Sequence, residues 1–207
     1  MRKNLFVLLS VSLAVGGSSG ADTTPSVSQV LRFIIERPDD RMRRALLLGI
    51  GAELVERSAT FSDLLGNLRE ARHVLLYLRF VQLRQVPPSG RTLFEIAPSG
   101  LVVGFIEIDP ALVHPLSRDG AIVAHELAHA YEVSCLPHIR STEELLRTLR
   151  ERAASQNDGN SAETPFAAAV EKAVIDEWYS GERIASQLPA LAAKYDLNRC
   201  VSAAPQP

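Results

Sequence analysis

Cysteine is almost missing from this 207-residue chain: Cys135 and Cys200 are the only two. At most one disulfide can form. In an oxidising compartment it would tie the C-terminal tail to the segment around residue 135, and a loop of that length contributes roughly 4 kcal/mol in the chain-entropy description. Two unpaired thiols are the other reading. Internal repeats and low-complexity tracts are also lacking. Beyond the first twenty residues no stretch is long and apolar enough to span a bilayer, so no transmembrane segment is expected. No basic face or stripe is present either, which argues against a nucleic-acid partner. The cluster Arg41, Arg43, Arg44 reads as the solvated side of a helix.

What is present begins with a leader. Arg2 and Lys3 precede the apolar run Leu5–Val15, which is too short to cross a membrane, and Ser18-Ser19-Gly20-Ala21 supplies small residues for cleavage. No cysteine follows the run, so a lipid anchor is not expected. Residues 1–21 are read as a signal peptide and residues 22–207 as a single domain, periplasmic or secreted. Losing Arg2 and Lys3 from the 22 basic residues leaves 20 against 24 acidic ones. About 185 remaining residues suffice for one domain with a substantial core.

Helical spacing runs through Arg41–Arg57, and a second helix is expected after Thr60-Phe61-Ser62-Asp63, with Thr60 near its cap. Three strands are expected at Val74–Leu83, Thr92–Ile96 and Leu101–Ile108. Pro87-Pro88-Ser89-Gly90 and Pro98-Ser99-Gly100 separate them as loops or hairpins would. Helices follow at about Ser117–Cys135, stopped by Pro137, and from Ser141 to about Ala154. A long final helix opens at Thr164-Pro165, a cap residue followed by a first-turn proline. The layout predicts an α+β fold, a small antiparallel three-stranded sheet packed with helices.

Within Ala121–Val133, which reads AIVAHELAHAYEV, lies His125-Glu126-Leu127-Ala128-His129. On a helix, positions i and i+4 share a face one turn apart. Two imidazoles so placed can bind one metal ion, with the intervening Glu beside it as a base toward water. The surrounding residues are apolar nearly all round, as in a helix buried on several sides. Imidazoles and a carboxylate are costly there unless paired or metal-bound. The plain alternative is a metal-free domain with hydrogen-bonded core histidines.

A catalytic zinc usually takes three protein ligands and leaves a position for water. Glu132 and Cys135 occupy the places where an extended three-histidine motif needs Gly and His, which excludes that class. Cys135 and His138 stay open as ligands, while His73 and His114 read as structural or solvent-facing. A downstream acid is the stronger source: Glu163, Glu171 and Glu177 qualify. Periodicity favours Glu177, which shares a stripe with Val170, Val174, Gly181, Ile184 and Leu188.

The stretch from Ser58 to about Arg183 resembles a family of exported bacterial proteins of unknown activity, built around HELxHAxEV and classed by motif with the zincin-type metallopeptidases. The matching pieces are SATFSDLLGNLREARHVLLYLRF, the short strands and AHELAHAYEV. Farther on, Glu163-Thr164-Pro165-Phe166-Ala167-Ala168 is similar to a Glu-Thr followed by alanines. Ala162 stands where the family has an aromatic, and Pro165 and Phe166 depart from its pattern. The resemblance implies a zincin-like, mini-gluzincin arrangement around a buried motif helix, with Zn²⁺ held by His125, His129 and Glu163. It also implies an edge strand above that helix that receives extended peptide. Val102–Ile108 is the candidate, with Gly104 allowing close approach.

The expected function is therefore a zinc-dependent hydrolase, most simply a peptidase acting on a peptide or protein substrate, with Glu126 as general base. The alternative is an inactive metal-binding or scaffold protein of the cell envelope with a structural metal. Tyr131, Tyr179 and Tyr195 are candidate oxyanion donors.

Overall fold

The fold is seen in a computed structural model that describes residues 24–83, 90–109, 117–136, 139–154, 164–181 and 184–197, apart from the side chains of 117–119 and 153–154. The expected leader, Glu163, His114, His138 and Cys200 lie outside these residues. In chain order the elements are α1 (Val27–Val30), β1 (Leu31–Phe33), α2 (Asp40–Arg57), α3 (Ala59–Glu70), β2 (Val74–Phe80), β3 (Gly90–Ile96), β4 (Val102–Ile108), α4 (Ser117–Ser134), α5 (Thr142–Ala154), α6 (Pro165–Ser180) and α7 (Leu188–Lys194).

The α+β class holds, but the sheet is not a three-stranded antiparallel meander. It has four strands in the order β1-β2-β4-β3. β1 pairs with β2 and β2 with β4 in parallel, and only β3 runs antiparallel, against β4. Alternation along β2 and β4 explains which face is covered. Leu76, Leu78, Phe80, Val102, Ile106 and Ile108 are all buried on one side, each contributing on the order of 1.5–3 kcal/mol relative to exposure. Tyr77 and Phe105, paired in register on the other side, stack at 5.7 Å. There Glu107 is buried by Arg79 and Arg91, each bonded to one of its oxygens.

The second departure concerns the expected peptide-binding strand. Val102–Ile108 is β4, flanked by β2 and β3 along its whole length, so its main chain is already paired. The edge beside it is β3. Gly104 serves the packing instead: a Cβ there would lie 2.7 Å from Leu76 Cδ2 and 3.1 Å from Phe94 Cε1, the residues opposite it on the two neighbouring strands.

α4 runs through the middle of the molecule, against α2, α3, α6, β2 and β3. Ala121, Ala124, Leu127, Ala128 and Ala130 are completely buried, so small side chains let neighbouring elements approach from several sides. α3 is capped by Ser58, whose hydroxyl accepts from Phe61 N, rather than by Thr60. α6 is capped by Thr164, which accepts from Ala167 N, with Pro165 in its first turn. Its end is sharper than the apolar stripe suggests. Gly181 takes a left-handed conformation (φ 68°) and closes the helix, so Ile184 and Leu188 lie beyond it. Cys135, just past α4, is disulfide-bonded, and Cys200 is the chain's only other cysteine. No helix among the described residues is long and apolar enough to cross a membrane.

Candidate metal centre

Helical geometry sends the polar residues of α4 in two directions. His125, His129 and Glu132 are spaced four and three apart and share one stripe, which meets α6. Glu126, one position on from His125, turns about 100° away toward β3. Most of the group is withdrawn from solvent, with His125 9%, Glu126 4% and Glu132 2% exposed, while His129 is partly exposed. The rings of His125 and His129 lie 4.9 Å apart, nearly perpendicular.

Each ring has one nitrogen turned onto a carboxylate. His125 Nδ1 lies 2.9 Å from Glu171 Oε2, on α6. His129 Nδ1 lies 3.3 Å from Glu132 Oε2 and 3.4 Å from Thr164 Oγ1. A carboxylate accepts only, and a hydroxyl has one proton to give. The Thr164 proton goes to Glu132 Oε2, 2.5 Å away. These partners of the two Nδ1 atoms, among the described residues, are acceptors, so each Nδ1 carries a proton and a neutral ring keeps its lone pair on Nε2. That tautomer suits metal ligation, because ligating histidines characteristically donate their other N–H to a carboxylate.

Glu126 is oriented from the sheet. Thr92 Oγ1, on β3, donates to its Oε2 at 2.7 Å. Gly90, at the start of the same strand, makes room: a Cβ there would lie 3.1 Å from Glu126 Oε1 and 3.0 Å from Ile108 and Ile122. Glu126 is therefore held by the edge strand, and the histidines by Glu171 of α6, the α6 cap Thr164 and Glu132 of α4 itself.

The candidate third ligands separate clearly. Glu177 is not one. It is 1% exposed, and its carboxylate accepts from Ser58 Oγ (2.6 Å), Thr60 N (3.0 Å) and Thr60 Oγ1 (2.5 Å), joining α6 to the start of α3. Cys135 is excluded as a thiolate because its sulfur is in a disulfide. Glu171 reaches His125 Nδ1, a partner of the ring. Glu163 and His138 lie outside the described residues. Thr164, peptide-bonded to Glu163, packs against His129 and Glu132. Among the described residues no group of three or more His, Cys, Asp or Glu side chains is arranged to hold a metal ion.

The other described histidine and the tyrosine candidates lie elsewhere. His73 Nε2 contacts the carbonyl of Ser134 at 3.0 Å. Tyr131 is buried and stacked on Phe166, burial pushes its phenol above the ordinary 10.0, and Tyr195 meets the same Phe166. Tyr179 is 72% exposed. Sequence reasoning overlooked Thr92, Gly90 and Glu132 as parts of the centre. Only Glu132 carried a readable signal, an acid on the histidine stripe of an otherwise apolar helix.

No family model, curated protein or solved structure matches the chain.

Proposed function

We propose that this protein is an exported zinc-dependent hydrolase, most simply a peptidase of the HExxH type. One observation carries the reading: two imidazoles one helical turn apart both turn Nδ1 onto an acceptor, and Nε2 of each would then be the metal-binding nitrogen. The donor set fits zinc, with His125, His129 and Glu163 as ligands and Glu171 and Glu132 supporting the rings. Zinc bound there would supply Lewis acidity toward a carbonyl and acidify water.

The chain's own residues do the rest. Glu126, aimed by Thr92, accepts the proton of the attacking water and hands it to the departing amine. β3 is the edge strand of the sheet and contacts α4. An extended peptide added to that edge would lie next to the strand that orients Glu126. A motif helix beneath such an edge supports a zincin-like, gluzincin-type arrangement. The disulfide at Cys135 supports export to an oxidising compartment.

Glu126→Gln tests the role of the base. Zinc content should stay at the wild-type level, while cleavage of a fluorescently labelled unfolded protein should fall at least 100-fold, on the order of a lost general base. Wild-type cleavage by the variant would remove Glu126 from the chemistry. Four protein ligands in the X-ray absorption spectrum of the zinc form would instead indicate a structural metal and the scaffold reading.

A further inference from the structure

The pair Glu132–Thr164 has no part in the HExxH chemistry, yet it is the most tightly made contact of the centre. Glu132 is a carboxylate almost fully buried on an apolar helix. Thr164 is completely buried and precedes α6. Its hydroxyl works in both directions: it accepts from Ala167 N at 3.3 Å, closing the first turn of α6, and donates to Glu132 Oε2 at 2.5 Å. Helix capping needs only the first of these. The second spends the hydroxyl proton on the oxygen that also faces His129 Nδ1, so among the described residues His129 Nδ1 meets acceptors alone. The same contact fixes the residue covalently joined to Glu163 against the second histidine of the motif.

We propose that Glu132 and Thr164 form a positioning latch. It holds His129 as the Nδ1–H tautomer and ties the start of α6 to α4, so the strength of cation binding at the motif is set by two side chains that do not touch the cation. The proposal rests on the metal-centre reading and extends it, by joining α4 to the start of α6 through one hydroxyl proton. His125, held by Glu171 from the middle of α6, is independent of the latch.

The test is competition of the full mature protein against a chromophoric zinc chelator. The variants are Glu132→Gln, Thr164→Val, Thr164→Ser and the double variant Glu132→Gln/Thr164→Val. Glu132→Gln and Thr164→Val should each weaken zinc binding about 10- to 100-fold, the range found for outer-shell partners. The double variant should be no weaker than the poorer single one, since both break the same contact. Thr164→Ser, which keeps the hydroxyl, should restore wild-type affinity. Thermal unfolding separates capping from positioning: a lower melting temperature with unchanged zinc affinity in Thr164→Val makes Thr164 a cap alone and overturns the latch. If Glu132→Gln does not fold, the Val and Ser variants at 164 decide the matter. A second readout needs no metal. Long-range ¹H–¹⁵N spectra of the chelator-treated protein should show His129 as the Nδ1–H tautomer in wild type and a mixture in Glu132→Gln, whose amide can donate to Nδ1. Wild-type protein that binds no zinc but shows that tautomer contrast refutes the metal reading and keeps the latch. Zinc bound equally by all variants, with no change of tautomer, refutes the latch and keeps the metal reading.

Discussion

Glu171 and Glu177 sit on the same helix, six residues apart, and have opposite surroundings. Glu177 is buried with three donors on its two oxygens, all from the start of α3. Glu171 has a third of its side chain exposed, and one of its oxygens meets the Nδ1 of a motif histidine. A buried carboxylate supplied with that many donors serves the fold, because its desolvation is offset by bonds that no ligand can share. A carboxylate one-third exposed and aimed at an imidazole is placed to orient the ring instead. Polarity and periodicity favour Glu177 as a ligand, but its oxygens are taken by Ser58 and Thr60.

The difference is sharpened most strongly by deletion. Glu177→Ala strands the donors of Ser58 and Thr60 in the interior. It should cost about 3 kcal/mol or more in urea unfolding, from one to three per unsatisfied buried group, with zinc affinity unchanged. Loosening the other support of the motif comes next. Thr92→Val removes the hydroxyl that aims Glu126, and hydrolysis should fall about 10- to 100-fold with zinc content unaltered. Glu171→Ala should weaken zinc binding about tenfold while changing the unfolding free energy by less than about 1 kcal/mol. An unfolding penalty for Glu171→Ala matching that of Glu177→Ala would erase the distinction.

Asp40 extends the comparison to a third acid and gives the smallest effect. It is buried at the start of α2 and accepts from Arg37 N (2.9 Å), Glu36 N (3.2 Å) and the Arg43 guanidinium (3.0 Å). Burial alone would raise its pKa, but these donors outweigh it and hold the carboxyl below its ordinary 3.8. A lowered folded-state pKa means that its stabilisation is complete above the unfolded value and is lost as pH falls through the folded one. Acid unfolding below about pH 4 should accordingly be shallower in Asp40→Asn than in wild type. Equal slopes would show that Asp40 adds nothing to the acid limb.

The motif helix was legible because its signal is local: spacing, apolar surroundings and a proline beyond its end. The start of α6 was legible for the same reason, as Thr164 and Pro165 declare a cap and a first turn. The sheet was not. β1 is three residues long, too short for alternation to register, and the parallel pairing of β2 with β4 joins segments separated by β3. An order read along the chain makes β4 an edge, whereas the folded chain puts it inside. Ser58 and Thr60 are both hydroxyl residues near one helix start. Which of them caps α3, and which turns to Glu177, depends on a helix more than a hundred positions away. Gly181 fitted an apolar stripe by spacing and ends the helix by conformation. The partners of the histidines were hidden likewise, since Glu132 and Thr164 meet only when α6 lies along α4.

Zinc stoichiometry of the purified protein, measured by elemental analysis after dialysis beside His125→Ala and His129→Ala, tests the central claim most directly. One zinc per wild-type chain and less than a tenth of that in either variant is the result expected from paired ligation. Wild-type protein free of zinc, or a full complement of zinc in both variants, would contradict it.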